Sequence, residues 1–311
     1  MNIRYLVTHS GGFHADELLS SVILTRLFPQ ARIIRSRAPE WITPAPDRVI
    51  YDVGRIFDAD RGVFDHHQTP TPLRETGKPY SSFGLIWDHF GRDYLRGSGV
   101  PDDHVDLVHK AFDADFVLPV DLLDNGAVDP SVAGPLLSGL TLPVLLEQLK
   151  PVFDERTAQG EDAAFADALP VARAFVEGRI RHLAADLRAH SIATDAIRAA
   201  GDSPILELPR GMPYRAAIEA AGADHLLFVV HPRDGDWALN GIRLGEDTFA
   251  QRADLPEAWA GLNDAELEAA CGVPGARFCH SARFIAVADS RSAILRMAEL
   301  AVEAALVPTG V

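Results

Sequence analysis

The chain has 311 residues, 47% hydrophobic and 23% charged, a composition that suits a globular protein of about two domains. Its 29 Lys and Arg against 44 Asp and Glu leave a formal net charge of -15, which argues against a broad electrostatic grip on nucleic acid. No apolar run reaches membrane-spanning length, and no charged leader with a cleavable apolar stretch opens the chain, so a cytoplasmic location is expected.

Strand and helix signals alternate through the first 130 residues. Ile3 to Thr8 is a β-rich run that stops at Ser10-Gly11-Gly12, and a helix pattern follows from Ala15 to Phe28. Ala31 to Ser36, Arg48 to Val53 and Gly62 to Phe64 read as further strands. This alternation predicts βαβ units and a parallel sheet, in which ligands gather beyond the carboxyl ends of the strands. Two helices follow. One runs from about Ser82 to Tyr94 with Ser81 or Ser82 as its cap, the other from about Pro101 to Leu123, where Pro119 kinks or divides it. Ser131 to about Ser203 reads as an amphipathic helical linker. Beyond it, Pro204 to Leu208 is strand-like, Leu226 to His231 and Trp237 to Leu244 form a hairpin, Phe278 to Val287 is one strand, and Arg291 to Leu306 is a closing helix. The expected organisation is an α/β parallel-sheet domain with its helical linker over residues 1–190, and a smaller α+β domain over 191–311.

The chemistry-bearing residues collect at the expected strand ends. His9, His14 and Asp16 surround the Gly11-Gly12 turn, Asp52 ends Val49-Ile50-Tyr51, and Asp65-His66-His67 follows Val63-Phe64. Imidazole plus carboxylate is ligand chemistry for Mn²⁺, Fe²⁺ or Zn²⁺, and so many candidates exceed what one tetrahedral zinc requires. Capping accounts for one polar residue near the glycines, not three. Asp121 and Asp124, three apart near the end of a helix, share one face and place negative charge where the helix dipole disfavours it, which a cation would offset. Asp113 and Asp115 read as solvated. The two cysteines, Cys271 and Cys279, have no zinc spacing and are expected to be free thiols.

At these residues the chain resembles a known family. His9-Ser-Gly-Gly-Phe-His14-Ala-Asp16-Glu17, Tyr51-Asp52-Val53-Gly54, Phe64-Asp65-His66-His67-Gln68, Tyr80 to Trp87 and Asp121-Leu-Leu-Asp124-Asn125-Gly126 occur in that order. Together with Leu255 to Leu262 and Phe278 to Ile285 they are similar to the melanocyte-proliferating-gene-one (Myg) family, a branch related to the DHH phosphoesterases. The resemblance implies a DHH-like N-terminal domain holding two divalent ions, Mn²⁺ first, with Mg²⁺, Fe²⁺ or Zn²⁺ as alternatives. It implies one ion on His9, His14 and Asp52, and a second on Asp16, Asp52, His66 and either Asp121 or Asp124. His67 and Asp65 are the expected catalytic residues, His67 facing the scissile phosphate or orienting the cluster. The chemistry implied is in-line attack by water activated between the two cations. Relatives typically carry aspartate where His14 stands, a change bearing on metal preference.

In such enzymes the smaller domain contacts the substrate, and here His280, Ser281, Arg283 and Arg291 are the candidates. Two departures stand out: Ala286-Val287-Ala288-Asp289 replaces a glycine pair common in the family, and Arg283 stands where glycine is common. The leading expectation is a metal-dependent phosphodiesterase or 3′–5′ exonuclease acting on short single-stranded RNA or DNA, with no membrane partner; a homo-oligomer is compatible with it. The alternatives are a phosphatase of a small nucleotide or phosphorylated metabolite, and a metal-binding regulatory protein without catalysis.

Overall fold

The computed structural model describes residues 2–129, 134–245 and 247–306, so residues 131–133 of the expected helical linker lie outside the described residues. The fold is mixed α/β, and the chain divides into two compact units, Met1–Ala185 and Asp186–Val311.

The first unit is built on a five-stranded sheet of β1 (Tyr5–Thr8), β2 (Arg32–Arg35), β3 (Arg48–Tyr51), β4 (Phe57–Asp58) and β5 (Val63–Phe64), in the order β2-β1-β3-β5-β4. Four strands run parallel, and only the edge strand β4 is antiparallel. Buried parallel strands need apolar side chains on both faces, which is why Leu6-Val7, Val49-Ile50-Tyr51 and Val63-Phe64 read as continuous apolar runs. One face packs Val7, Ile50, Val53 and Val63 against Tyr5, Ile34, Trp41 and Ile42. Helix α1 (Ala15–Leu27) is buried continuously from Ala15 to Leu24, and it packs on α3 (Ser82–Gly97), which contributes Phe83, Ile86 and Trp87 to the core. Each such apolar side chain contributes about 1.5–3 kcal/mol, which offsets the cost of burying the charged residues described below. A short helix, α2 (Pro39–Ile42), joins β2 to β3.

The chain leaves β1 toward β2 on one side and returns to β3 on the other. The carboxyl ends of β1 and β3 therefore flank the point where the winding reverses, the usual crevice for a ligand in such sheets. His9, Asp52 and Asp65 are the residues immediately after β1, β3 and β5.

The helix expected over 101–123 is interrupted: α4 (Asp102–Phe112) passes through a π-helical turn, Asp113–Val117, into α5 (Leu118–Asp124). The break precedes Pro119, which sits in the first turn of α5, where its missing N–H costs nothing. After a 3₁₀ turn over Pro135–Leu140 come α6 (Leu142–Glu147) and the 43-residue α7 (Ala158–Ala200). No helix among the described residues is long and apolar enough to cross a membrane.

The second unit holds a sheet of order β6-β7-β8-β10-β9, with β6 (Ile205–Glu207) parallel to β7 (Phe228–Arg233), and β8 (Asp236–Gly241), β9 (Ala276–Cys279) and β10 (Ile285–Ala288) antiparallel. Two further helices are α8 (Arg215–Ala220) and α9 (Asp264–Cys271). The closing helix α10 (Arg291–Leu306) covers Phe228, Val230, Leu239, Ala286 and Ala288 with Ile294, Met297 and Ala298. The single strand expected over 278–287 is instead a pair, β9 and β10, joined by a turn in which Arg283 adopts φ 58°, in the left-handed region. Both cysteines are free.

Candidate metal centre

Eight of the sequence-predicted residues, with the unpredicted Glu17, converge in the first unit. Three groups of side chains each offer ligand atoms within 4.8 Å of one another: His9, His14, Glu17 and Asp52; Asp52, Asp65, His66 and His67; and Asp16, His66 and Asp124. Asp52 and His66 each belong to two groups and join all three. Asp52 Oδ2 lies 3.2 Å from His9 Nε2, and Oδ1 lies 3.3 Å from His66 Nε2 and accepts a hydrogen bond from Ser82 Oγ at 3.2 Å. His66 Nε2 reaches Asp124 Oδ2 at 3.4 Å. The backbone at Asp52 is left-handed, φ 53°, an uncommon state that aspartate tolerates better than most residues.

Glu17 has no role in the sequence reading. Both of its oxygens accept the His14 backbone N–H at 2.9 Å, closing the first turn of α1, and one lies 3.0 Å from His9 Nε2. The available signal was its place three residues after His14, the spacing of a capping box. Asp65 turns inward on its own loop: Oδ1 accepts from His66 N at 2.7 Å and pairs with His67 Nδ1 at 2.7 Å, while Oδ2 accepts from Arg55 N at 2.6 Å. It orients His67, whose side chain is half exposed.

Asp121 stays outside all three groups. It is fully buried, with Oδ2 paired to Arg74 Nη2 at 2.6 Å and Oδ1 accepting from Ser81 Oγ at 2.7 Å. Ser81 holds the N-cap position of α3 as expected, but Ser81 and Ser82 send their hydroxyls to Asp121 and Asp52 and not to the helix end. An open cavity of about 490 Å³ is lined by His14, Asp52, His66, His67 and Asp124 with Gln68, Thr69, Thr71, Leu123, Asn125 and Glu147. Of the uncharged lining residues, Gln68, Thr69 and Thr71 fall on a loop and Asn125 just beyond α5, where periodicity gives no signal.

Asp16 tests whether these residues suit a cation. It is buried, and neither carboxylate oxygen has a hydrogen-bond partner among the described residues. A carboxylate so placed is costly unless a cation meets it. Burial, then the nearby Asp52, Asp124 and Glu17 charges, push its pKa well above the ordinary carboxylate range. Burial likewise raises Asp124. At Asp52 burial acts in the same direction, but His66 and His9 outweigh it and hold its carboxyl below the usual range. The donor set, imidazole and carboxylate without thiolate, fits Mn²⁺ or similar ions.

Burial disfavours the His9 imidazolium, yet Asp52 and Glu17 prevail and push its pKa up to about 10. The metal-free chain thus keeps the His9 proton at neutral pH, whereas a cation requires the neutral ring. Mn²⁺ affinity is expected to rise with pH, by about tenfold per pH unit for one displaced proton. The folded pKa lies above the unfolded value, so in metal-free protein the His9 contribution to stability is complete below about pH 6.5 and is lost as pH rises toward 10. Titration calorimetry at several pH values, in buffers of different ionisation enthalpy, checks both slope and proton release. A pH-independent affinity would contradict the assignment of His9.

The four substrate candidates lie in the second unit. His280 Nδ1 accepts from Ala282 N at 3.0 Å, and its ring packs on Phe284 with centroids 4.5 Å apart. Ser281 is exposed. Arg283 pairs with Asp254 at 2.9 Å, and Arg291 grips Glu207 through Nε and Nη2 at 2.6 and 2.7 Å. Both arginines therefore have carboxylate partners. Arg291 is tied to β6 at one edge of the sheet, while Arg283 sits in the turn at β9 on the other, so the structure does not gather the four into one site.

The family model MYG1_exonuc, described as "Uncharacterised protein family (UPF0160)", matches residues 5–302. The MYG1 protein C694.04c of Schizosaccharomyces pombe is 28% identical over 97% of this chain and 98% of its own length. The MYG1 exonuclease of Mus musculus is 30% identical over 94% of this chain and 83% of its own, and the MYG1 protein YER156C of Saccharomyces cerevisiae 30% identical over 96% and 95%. Among solved structures, the exonuclease RecJ bound to manganese is 13% identical and aligns over 98% of this chain and 91% of its own, with a TM-score of 0.26, a value that does not establish a shared fold. The match across nearly the whole sequence makes this chain a member of the MYG1_exonuc family.

Proposed function

We propose that the chain is a phosphodiesterase that shortens single-stranded RNA or DNA from the 3′ end, using two divalent cations held by the His9–Asp124 cluster in a DHH-like domain. Relatives named MYG1 exonuclease, together with the clustered imidazoles and carboxylates, support a metal-dependent nuclease of the hydrolase class. The observation carrying the finer reading is the linkage of three ligand groups through Asp52 and His66, beside a buried Asp16 with no hydrogen-bond partner among the described residues. His9, His14 and Asp52, with Glu17 at hand, would hold one ion, and Asp16, Asp52, His66 and Asp124 the other. When bound, such ions supply Lewis acidity toward water and the phosphoryl oxygens.

The chain's own residues complete the site. Asp65, fixed by three backbone N–H groups, commits His67 Nδ1 and raises the pKa of that imidazole, leaving Nε2 to donate to a phosphoryl oxygen or the leaving group. Gln68, Thr69 and Thr71 offer an amide and hydroxyls for sugar and base. The volume of about 490 Å³ suits one terminal nucleotide or two, which favours trimming from an end.

Purified chain with Mn²⁺ is offered 5′- and 3′-labelled oligonucleotides, dinucleotides and a generic phosphodiester. Stepwise shortening of the 5′-labelled strand is the expected result. Release of inorganic phosphate from nucleotides alone would replace the reading with a phosphatase, and metal uptake without turnover of any substrate would leave a regulatory protein.

A further inference from the structure

Arg74 sits in a tight loop, pinned by its backbone N–H to Lys78 O and by Gly77 N–H to its own carbonyl, both at 2.8 Å. Its guanidinium is nearly buried and lies over the Tyr80 ring, 4.4 Å from the centroid. One arm, Nη1, pairs with Asp113 Oδ2 at 2.6 Å; Nη2 and Nε converge on Asp121 Oδ2 at 2.6 and 3.2 Å. Asp113 opens the π-helical turn and Asp121 lies in α5 beyond it, so one side chain spans the irregular turn. A second fastening joins the same segments, Asn125 Nδ2 donating to Tyr80 O at 3.0 Å. Asp124 lies between these fastenings. A π-turn can add or release a residue in helical register, which would swing Asp124 away from His66.

We propose that Arg74 is a positioning residue: its fork to Asp113 and Asp121 fixes the register of α5 and so holds Asp124 in the cation cage, with Asp121 serving as an anchor and not as a ligand. The inference rests on the metal-centre reading above. Asp121 has both oxygens committed, to Arg74 and Ser81, whereas Asp124 Oδ2 points to His66. Arginine suits the role because its planar fork reaches two carboxylates at once, which a lysine ammonium does less well.

The test is Mn²⁺ binding to the full chain, by calorimetry and by electron paramagnetic resonance of free Mn²⁺, with no activity readout. Arg74→Met is expected to weaken Mn²⁺ binding about 10–100-fold, the range for residues behind the ligands, and Arg74→Lys to recover part of it. Asp121→Asn should weaken binding without lowering the number of ions and should add little to Arg74→Met, while Asp124→Asn lowers the number. Wild-type affinity in Arg74→Met, even with a lower melting temperature, overturns the proposal, as does loss of an ion in Asp121→Asn. Should Arg74→Met not fold, Arg74→Lys and Asp121→Asn decide by the same criteria. A wild-type chain that takes up no Mn²⁺ overturns the metal reading and this proposal together; wild-type uptake with unchanged variants overturns this one alone.

Discussion

Replacing Asp52 by asparagine is expected to remove Mn²⁺ binding from both ends of the cluster and hydrolysis with it. Asp52 is the carboxylate shared by two ligand groups, with one oxygen toward His9 and the other toward His66. Asparagine keeps the shape and tolerates the left-handed backbone at φ 53°, so the change withdraws charge without disturbing the loop. The loss should exceed the roughly 10–100-fold typical of residues that only support the ligands. Mn²⁺ stoichiometry and hydrolysis rate are measured on the same preparation, with circular dichroism as a check on folding. If Asp52→Asn binds two ions and works within about tenfold of the parent, Asp52 is not the shared ligand.

The second large effect is on stability. Gly84 lies in the first turn of α3, where a β-carbon would meet the Asp121 carboxylate and come within 2.7 Å of Tyr80 Cδ1. In an open helix alanine would gain about 1 kcal/mol over glycine. Here Gly84→Ala should destabilise instead, because the carboxylate it displaces is fixed by Arg74 and Ser81 and cannot give way cheaply. Overpacking costs about 1–3 kcal/mol, and a buried charge pulled from its partner about 3–5 kcal/mol. For a unit of 185 residues a loss of about 3 kcal/mol lowers the melting temperature by roughly 6–12 °C. A thermal melt of metal-free protein measures it, and a melting temperature at or above the parent's would show that Asp121 is not held as described.

The parts of the fold legible in the sequence are those whose environment is uniform. Buried parallel strands demand apolar runs, so β1, β3 and β5 stand out, and the polar residue ending each run marks the crevice. The closing helix over Arg291–Leu306 is equally plain. The turn between β9 and β10 escaped notice because its left-handed position is filled by Arg283, where a glycine would have announced it. The break between α4 and α5 was legible in Pro119, whose ring clashes with the carbonyl four residues earlier, at Asp115 inside the π-helical turn. At the site, ligand-type residues in sequence clusters were visible, while the choice between Asp121 and Asp124 was not. That choice depends on Arg74, a lone arginine 47 residues away from Asp121 with no pattern around it.

The cavity beside the cluster has one more consequence. Among the described residues its wall holds no lysine or arginine, the side chains through which nucleic-acid enzymes displace the ions condensed on a phosphate backbone. Each phosphate so neutralised contributes about -0.7 to the slope of log affinity against log salt for a single strand. With none contributed by this wall, substrate capture there should fall less steeply with salt than in enzymes with basic grooves, a difference that rates measured across a salt series would show.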